Sequence, residues 1–401
     1  MPQVRRCGYK PPRRSPALHA ERPQKAGVSE KEAGEDSIMK LFTCQGCGQL
    51  LYFENIRCEN CGRALGYLTD FNEISALESI GDLGPARGLR ALAAPHKVYK
   101  FCKNYDAGMC NWMVAADDKT GFCVACRHNR IVPDLTVPGN DLLWRKMETA
   151  KHRLFYSLLR LNLPLESRAD DPEQGLAFDF LSDLPQTHAI GVMIGHDNGL
   201  ITLALKEADD ATRERVRTEM GEPYRTLLGH FRHEIGHYFW DRLVARDPVL
   251  LEGCRALFGE EGQDYGEALK NYYEEGPPAN WQENFISMYA SSHPWEDFAE
   301  TWAHYLHIVD TLETAAAFGL KVKPRRADGG LAAAIDFDPY AADMDRLIDA
   351  WLPVQFATNN LNRSMGLTDF YPFLLSPRVI DKLSFVHVLM LVREAALRRT
   401  G

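Results

Sequence analysis

The sequence predicts an α+β protein: a small N-terminal β module held by cysteine pairs, then a mainly helical domain containing a small β-sheet. Three observations predict it. Eight of the ten cysteines fall between positions 44 and 126. From about residue 141 onward the cysteines nearly vanish and apolar residues recur at helical spacing. Within that helical part, one stretch near 190–205 reads as strands instead.

Residues 1–38 hold five prolines, eight Lys/Arg and five Asp/Glu, with almost no apolar periodicity. Such a segment cannot bury enough surface to offset its ordering entropy, so a disordered extension is expected, with a basic partner-binding tail as the alternative. Folded character starts at Met39-Lys40-Leu41-Phe42, and Met39 is a candidate start. Residues 39–138 form the cysteine-rich region. Within it, 69–98 reads as a connector broken at Gly84-Pro85 and Ala94-Pro95. Val132-Pro133-Asp134 and Val137-Pro138-Gly139 mark its end, and residues 139–401 form the helical domain.

Leu142, Leu143, Met147, Leu154, Phe155, Leu158 and Leu159 suggest an amphipathic first helix. Ile190–Ile194 and Leu200–Leu205 flank Asp197-Asn198-Gly199, which is a hairpin signal. Residues 211–245 are helical, with a break at Gly221-Glu222-Pro223.

The chain has 401 residues, 45% hydrophobic and 25% charged, which suits a globular protein of two or three domains. Its net charge of -9 argues against a general nucleic-acid binder. No apolar run approaches the length of a membrane span, and the N-terminus lacks a signal-peptide core. The expected place is the cytoplasm, where closely paired cysteines bind metal rather than form disulfides.

Cys44-x2-Cys47 and Cys58-x2-Cys61 are each followed by glycine, at Gly48 and Gly62. Four thiolates at this spacing form a closed tetrahedral zinc site, so this part reads as a zinc ribbon. Cys102, Cys110, Cys123 and Cys126 suggest a second structural zinc, with His96 or His128 able to replace one thiolate. Cys7 and Cys254 have no partner at useful spacing. The ribbon has no basic face, so a protein-contact or structural role is expected and nucleic acid is not.

Residues Tyr224 to Val244 read as one helix containing His233-Glu234-Ile235-Gly236-His237. The two histidines project from one face, a turn apart, as two ligands of one zinc would. Glu234 can reach a zinc-activated water as general base without binding the metal. A third protein ligand is required, and the stretch from Ser291 to His304 offers it. Pro294 fits the first turn of a helix on which Glu296 and Glu300 share a face. One acid binds zinc and the other accepts a hydrogen bond from a ligand imidazole; spacing alone does not say which. Asp297 and His304 are weaker ligand candidates, and His230 lies on the face of the two histidines.

This arrangement resembles the gluzincins, whose H-E-x-x-H helix is followed by a helix bearing two acids. The resemblance implies Glu296 as ligand and Glu300 as the acid that orients a histidine. The likeness is closest to the lethal-factor-like and Pro-Pro-endopeptidase type, with Tyr-x6-Glu-x-Phe-Ala-Glu. It implies Tyr289 as donor to the developing oxyanion, with His293 the weaker candidate. From Met39 on, the chain is similar to the bacterial zinc-binding metallopeptidases with an N-terminal zinc ribbon. The carriers are the two Cys-x2-Cys-Gly motifs, Phe122-Cys123-x2-Cys126-Arg127-His128-Asn129, the HEIGHYFWDRL stretch and HPWEDFAETWAHYLH. The resemblance implies a zincin-like domain carrying one catalytic zinc, with one or two structural zincs before it, acting on a peptide or protein substrate. The alternative is a non-catalytic zinc protein that contacts or regulates a partner; a third possibility is hydrolysis of a non-peptide amide.

Two further features are open. Tyr272-Tyr273, Gly276-Pro277-Pro278 and Trp281 read as a loop that either walls a cleft or crosses the core. Arg363 in Asn359-Asn360-Leu361-Asn362-Arg363 either meets a substrate carboxylate or belongs to helix capping.

Overall fold

The computed structural model describes residues 41–80, 88–182, 195–325 and 331–400. The expectations for 1–38, Met39, Cys7, Gly84-Pro85 and the strand Ile190–Ile194 lie outside the described residues.

The cysteine-rich part opens with a two-strand ladder, β1 (Phe42–Thr43) against β2 (Leu50–Leu51). Gly48 and Gly62 take positive φ, 74° and 73°. Each then donates its N–H to the first cysteine of its pair, Gly48 to Cys44 O at 2.7 Å and Gly62 to Cys58 O at 2.8 Å. Only glycine makes this turn without strain, and the turn folds each Cys-x2-Cys into a pincer. A five-stranded antiparallel sheet follows, in the order β3 (Leu65–Leu68), β4 (Glu73–Ser79), β5 (Leu89–Ala91), β6 (Ala94–Phe101) and β7 (Met113–Ala115). The expected connector over 69–98 is therefore corrected: much of it is sheet. Ala94-Pro95 begins a strand rather than breaking one. The β5–β6 register jumps from Ala91↔Ala94 to Arg90↔Val98, so Pro95 sits in a bulge where no ladder N–H is needed.

A second, four-stranded sheet has the order β10-β11-β9-β8, built from β8 (Asn129–Ile131), β9 (Ala177–Leu181), β10 (Gly195–Asp197) and β11 (Leu200–Ala204). β8, β9 and β11 run parallel, and β10 returns antiparallel through the expected hairpin. Asn198 (φ 46°) and Gly199 (φ 81°) both adopt the left-handed conformation such a tight turn needs. Among the described residues β10 is thus an edge strand.

Two of the helices pack on this sheet, through Phe155 and Phe231 against Phe178. α1 (Asn140–Arg160) buries Met147, Leu154, Phe155 and Leu158, as its periodicity predicts, whereas Leu142 of the expected face is exposed. α2 (Asp210–Glu219) ends before Gly221, which takes φ 65° at the expected break. α3 (Leu227–Phe239) is capped by the Thr226 hydroxyl, which accepts from Gly229 N at 3.0 Å. The expected helix to Val244 is interrupted: Trp240–Val244 forms a wider π-turn. Asp247 then caps α4 (Pro248–Phe258), with Pro248 in the first turn. α5 (Tyr265–Glu275) and the single turn α6 (Trp281–Asn284) lead to α7 (Pro294–Ala317). A short ladder of β12 (Lys321–Val322) and β13 (Ala333–Ala334) precedes α8 (Met344–Ser364) and α9 (Pro377–Thr400). α7 is the central helix, with sixteen buried residues among them Phe298, Trp302 and Leu306.

One apolar core runs from Phe42 to Met390. Where the cysteine-rich part meets α1, aromatic rings interlock: Phe53 on Tyr67 at 5.1 Å, Tyr67 on Trp112 at 4.5 Å and Phe53 on Tyr156 at 5.7 Å. No helix among the described residues is long and apolar enough to cross a membrane.

Beside that contact, α1 buries a whole ion pair. Lys151 and Glu148 are both 0% exposed, with Nζ 2.7 Å from Oε1. Asn129 Oδ1 also accepts from Lys151, and Asn129 Nδ2 donates to Glu148 at 2.9 Å. Removing the cation alone leaves a buried, uncompensated carboxylate. Lys151→Met is expected to cost about 3–5 kcal/mol in urea unfolding, and Lys151→Met/Glu148→Leu to recover most of that loss. A single-variant cost below about 1 kcal/mol contradicts this account.

Candidate metal centres

α3 and α7 carry the site. Thr226 fixes the start of α3, and the helical turn then puts His233 and His237 on one face. α7 starts at Pro294, with the His293 imidazole accepting from Trp295 N at 3.1 Å as its cap. Asp297 and Glu296 fall in its first turn, where a helix favours negative charge. The helices meet at Gly236. A Cβ placed there would lie 3.0 Å from Ala299 Cα and 3.2 Å from Trp302 Cβ. Glycine at this position lets α7 approach closely enough to bring Glu296 to the histidines.

His233, His237 and Glu296 converge on one point. His233 Nε2 lies 3.1 Å from His237 Nε2 and 2.9 Å from Glu296 Oε2, and His237 Nε2 lies 3.5 Å from that oxygen. Tetrahedral zinc with bonds of 2.0–2.1 Å requires donor separations of about 3.3 Å, so the three atoms fit the ion. Glu296 Oε2 is buried and has no hydrogen-bond partner among the described residues, as a donor aimed at a cation would be. Glu296 Oε1 instead accepts from the Tyr265 hydroxyl at 2.7 Å.

Glu300 stands behind His233. Its Oε1 is 2.8 Å from His233 Nδ1, and its Oε2 accepts from Ser287 at 2.6 Å. Burial opposes its charge, yet the His233 hydrogen bond and charge outweigh it and hold the carboxyl down to about 2. Glu234 points into the same space. His230 Nε2 is 3.2 Å from its Oε1, while its Oε2 is buried without a hydrogen-bond partner among the described residues. Burial again opposes ionisation, but the His230 hydrogen bond and the surrounding imidazole charges keep Glu234 below the ordinary carboxylate value. It is therefore an anion, able to take a proton.

Tyr289 lies at the rim, its ring 5.9 Å from that of His233. The weaker ligand candidates are not in the cluster. Asp297 is buried against Lys382 Nζ at 2.5 Å, and His304 Nδ1 meets the Tyr371 hydroxyl at 2.7 Å. Arg363 pairs with Asp369 at 2.6 and 2.7 Å and does not line the cleft at His233 and Glu234. Residues 265–275 are the helix α5 rather than a loop, and Tyr272, Tyr273, Gly276 and Pro277 line a cleft of about 750 Å³ that reaches His233 and Glu234. Tyr265, Ser287 and the edge residue Gly195 escaped sequence reasoning. None belongs to a spaced motif, and each meets the site only through the tertiary fold.

The two cysteine groups also close up. Cys44 and Cys61 sulfurs are 3.6 Å apart, as are those of Cys47 and Cys58. In the second group, Cys110 and Cys123 sulfurs are 3.7 Å apart. Zinc–sulfur bonds of 2.3 Å imply edges of about 3.8 Å, so both sets fit a tetrahedral ion. His96 is exposed on β6, and both nitrogens of His128 face backbone oxygens of Val124 and Leu165, at 2.7 and 3.1 Å. Neither histidine joins the second group; His152 Nε2 instead lies 3.3 Å from Cys110 Sγ. Cys254 stays apart, buried in α4.

Residues 140–389 match the family described as "Putative zinc-binding metallo-peptidase". The chain belongs to that family. Residues 41–137 of this metallopeptidase-family protein match a zinc-ribbon domain. Its relatives include an uncharacterized protein of Mycobacterium bovis and two of Mycobacterium tuberculosis. Each is 42% identical over 355 residues, which is 88% of this chain and 95% of the relative. No solved structure matches it.

The Gly236 contact makes a direct prediction for this family member. Gly236→Ala pushes a methyl onto the α7 backbone, which cannot yield as a side-chain tip would. Urea unfolding is expected to show a loss of about 1–3 kcal/mol, and dialysis against a chelator a faster loss of one zinc. Unchanged stability and zinc retention would remove the close approach as the organising contact.

Proposed function

We propose that this chain is a zinc-dependent peptidase of the gluzincin type, acting on peptide or protein substrates. The carrying observation is Glu234. It is buried, ionised and held by His230, and its second oxygen has no hydrogen-bond partner among the described residues, next to three converging donors. A structural brace needs the donors alone and gains nothing from an extra desolvated carboxylate.

In this reading His233, His237 and Glu296 hold the zinc. When bound there, zinc supplies Lewis-acid chemistry, lowering the pKa of water towards ~7 and polarising the scissile carbonyl. Glu234 takes the proton of the attacking water and passes it to the leaving amine. His230 keeps the carboxylate aimed during both transfers. Glu300 fixes the His233 ring by accepting from Nδ1, leaving Nε2 free to ligate. The Tyr289 phenol donates to the oxyanion as it forms. Burial raises the Tyr289 pKa, so the hydroxyl keeps its proton to donate.

An extended peptide adds to the edge strand β10. Gly195 on that strand is so close to the base that a Cβ there would lie 4.0 Å from Glu234 Oε2. A main chain paired with β10 therefore passes near Glu234, which also lines the cleft walled by Tyr272, Tyr273 and Pro277. The two cysteine centres each take a structural zinc, and no disulfide links the described cysteines, which suits a reducing cytoplasm. The ribbon serves as a structural or protein-contact module.

Wild type and Glu234→Gln are expected to bind the same zinc, with peptide-library cleavage falling at least about 10²-fold in the variant. Zinc-loaded wild type that cleaves nothing in a diverse library would sink the peptidase reading and favour a regulatory module. Glu296→Ala is expected to lose one zinc outright. Glu300→Ala is expected to keep that zinc at saturation while weakening its affinity about 10–100-fold in chelator competition. The reverse pattern would exchange the roles of the two acids.

A further inference from the structure

The second cysteine centre has more donors than a four-coordinate zinc can use. Cys102, Cys110, Cys123 and Cys126 are already a full set. Against them lies His152, delivered by α1 from outside the ribbon match at 41–137. Its Nε2 is 3.3 Å from Cys110 Sγ, 3.7 Å from Cys126 Sγ and 4.0 Å from Cys123 Sγ. These three sulfurs form one face of the cluster. No hydrogen-bond contact joins His152 to Cys102, the fourth corner, among the described residues.

The other ring nitrogen decides the tautomer. Nδ1 lies 2.6 Å from the Glu148 backbone oxygen, which can only accept, so Nδ1 carries the proton. In the neutral ring Nε2 is then a bare lone pair aimed at three sulfurs. A histidine that gives one N–H to a carbonyl and turns its other nitrogen to a cluster of thiolates is oriented as a metal ligand is. The ring is 5% exposed and packs edge-on to Trp112 at 4.9 Å, so it is held in this pose.

We propose that this centre contains two overlapping donor sets that share one face: Cys102 with Cys110, Cys123 and Cys126, and His152 with the same three cysteines. Zinc accepts sulfur or imidazole nitrogen at the fourth corner. Cys102 is thus replaceable, whereas the shared cysteines are not. When His152 ligates, the metal ties the first helix of the peptidase-family region directly to the ribbon. The inference rests on the reading of this cluster as a zinc site and is independent of peptidase activity.

The test uses the full-length chain and counts bound zinc by elemental analysis. Wild type and Cys102→Ser are expected to hold equal zinc. Cys123→Ser and the double variant Cys102→Ser/His152→Gln are each expected to hold one ion fewer. Cobalt-loaded Cys102→Ser should keep a tetrahedral spectrum while losing the charge-transfer intensity of one thiolate. If Cys102→Ser loses an ion as Cys123→Ser does, His152 is no ligand.

A second measurement keeps the cysteines intact. Release of the second zinc to a chelator is compared in wild type, His152→Gln and His152→Arg. A reserve ligand predicts release about tenfold faster in both variants, since arginine has no lone pair to offer. Arginine behaving as wild type overturns the proposal and leaves His152 as an N–H donor to a four-sulfur site. Wild type that lacks a zinc at this centre overturns instead the reading of the cluster itself.

Discussion

The crossing of α3 and α7 at Gly236 and Ala299 is the constraint on which the site depends. His233 and His237 follow from helical geometry, but a third donor must arrive from another element. Glu296 arrives because no side chain separates the two helices where they touch. The contact is backed by large rings: Trp302 lies on Phe239 at 5.0 Å and near Phe298 at 6.0 Å. Close packing makes the approach rigid, so three donor atoms can be held a few tenths of an ångström from their ideal separations.

A second theme is how the fold handles buried charge. Glu148 is matched by Lys151, Asp297 by Lys382 and Glu300 by His233. Each pair stands next to a metal centre and fastens the element carrying a donor. Lys382 on α9 also donates to Asn284 O at 2.6 Å, and so holds α6 and α9 against the start of α7. Among the described residues, Glu234 and Glu296 each keep one oxygen without a hydrogen-bond partner, as do Asp297 and Glu313. Of these, the Glu296 oxygen faces the His233 and His237 imidazoles.

The cysteine-rich part is built into the same core rather than appended to it. Its aromatic residues interlock with α1, and its last strand, β8, pairs with β9 of the sheet beneath the site. His152 extends that continuity into the metal shell of the second cluster. A strand ordered by the cysteine region thereby supports the sheet whose far edge, β10, passes Glu234.

The sequence alone determined every contact whose physics is local. Cys-x2-Cys-Gly turns, the one-turn spacing of His233 and His237, the hairpin turn at Asn198-Gly199 and the break at Gly221 each need no more than a few adjacent residues. The acids at 296 and 300 were legible as a pair on one helix face, and the structure brings the first to the histidines and the second behind His233. The strands over 69–98 were hidden because Pro95 reads as a breaker unless its bulge is known. Tyr265, Ser287, Gly195 and His152 had no signal at all, for each meets its partner outside any spaced motif. Tertiary structure decided those, because a hydrogen bond or a donor face is fixed by where helices pack, and packing depends on the whole core at once.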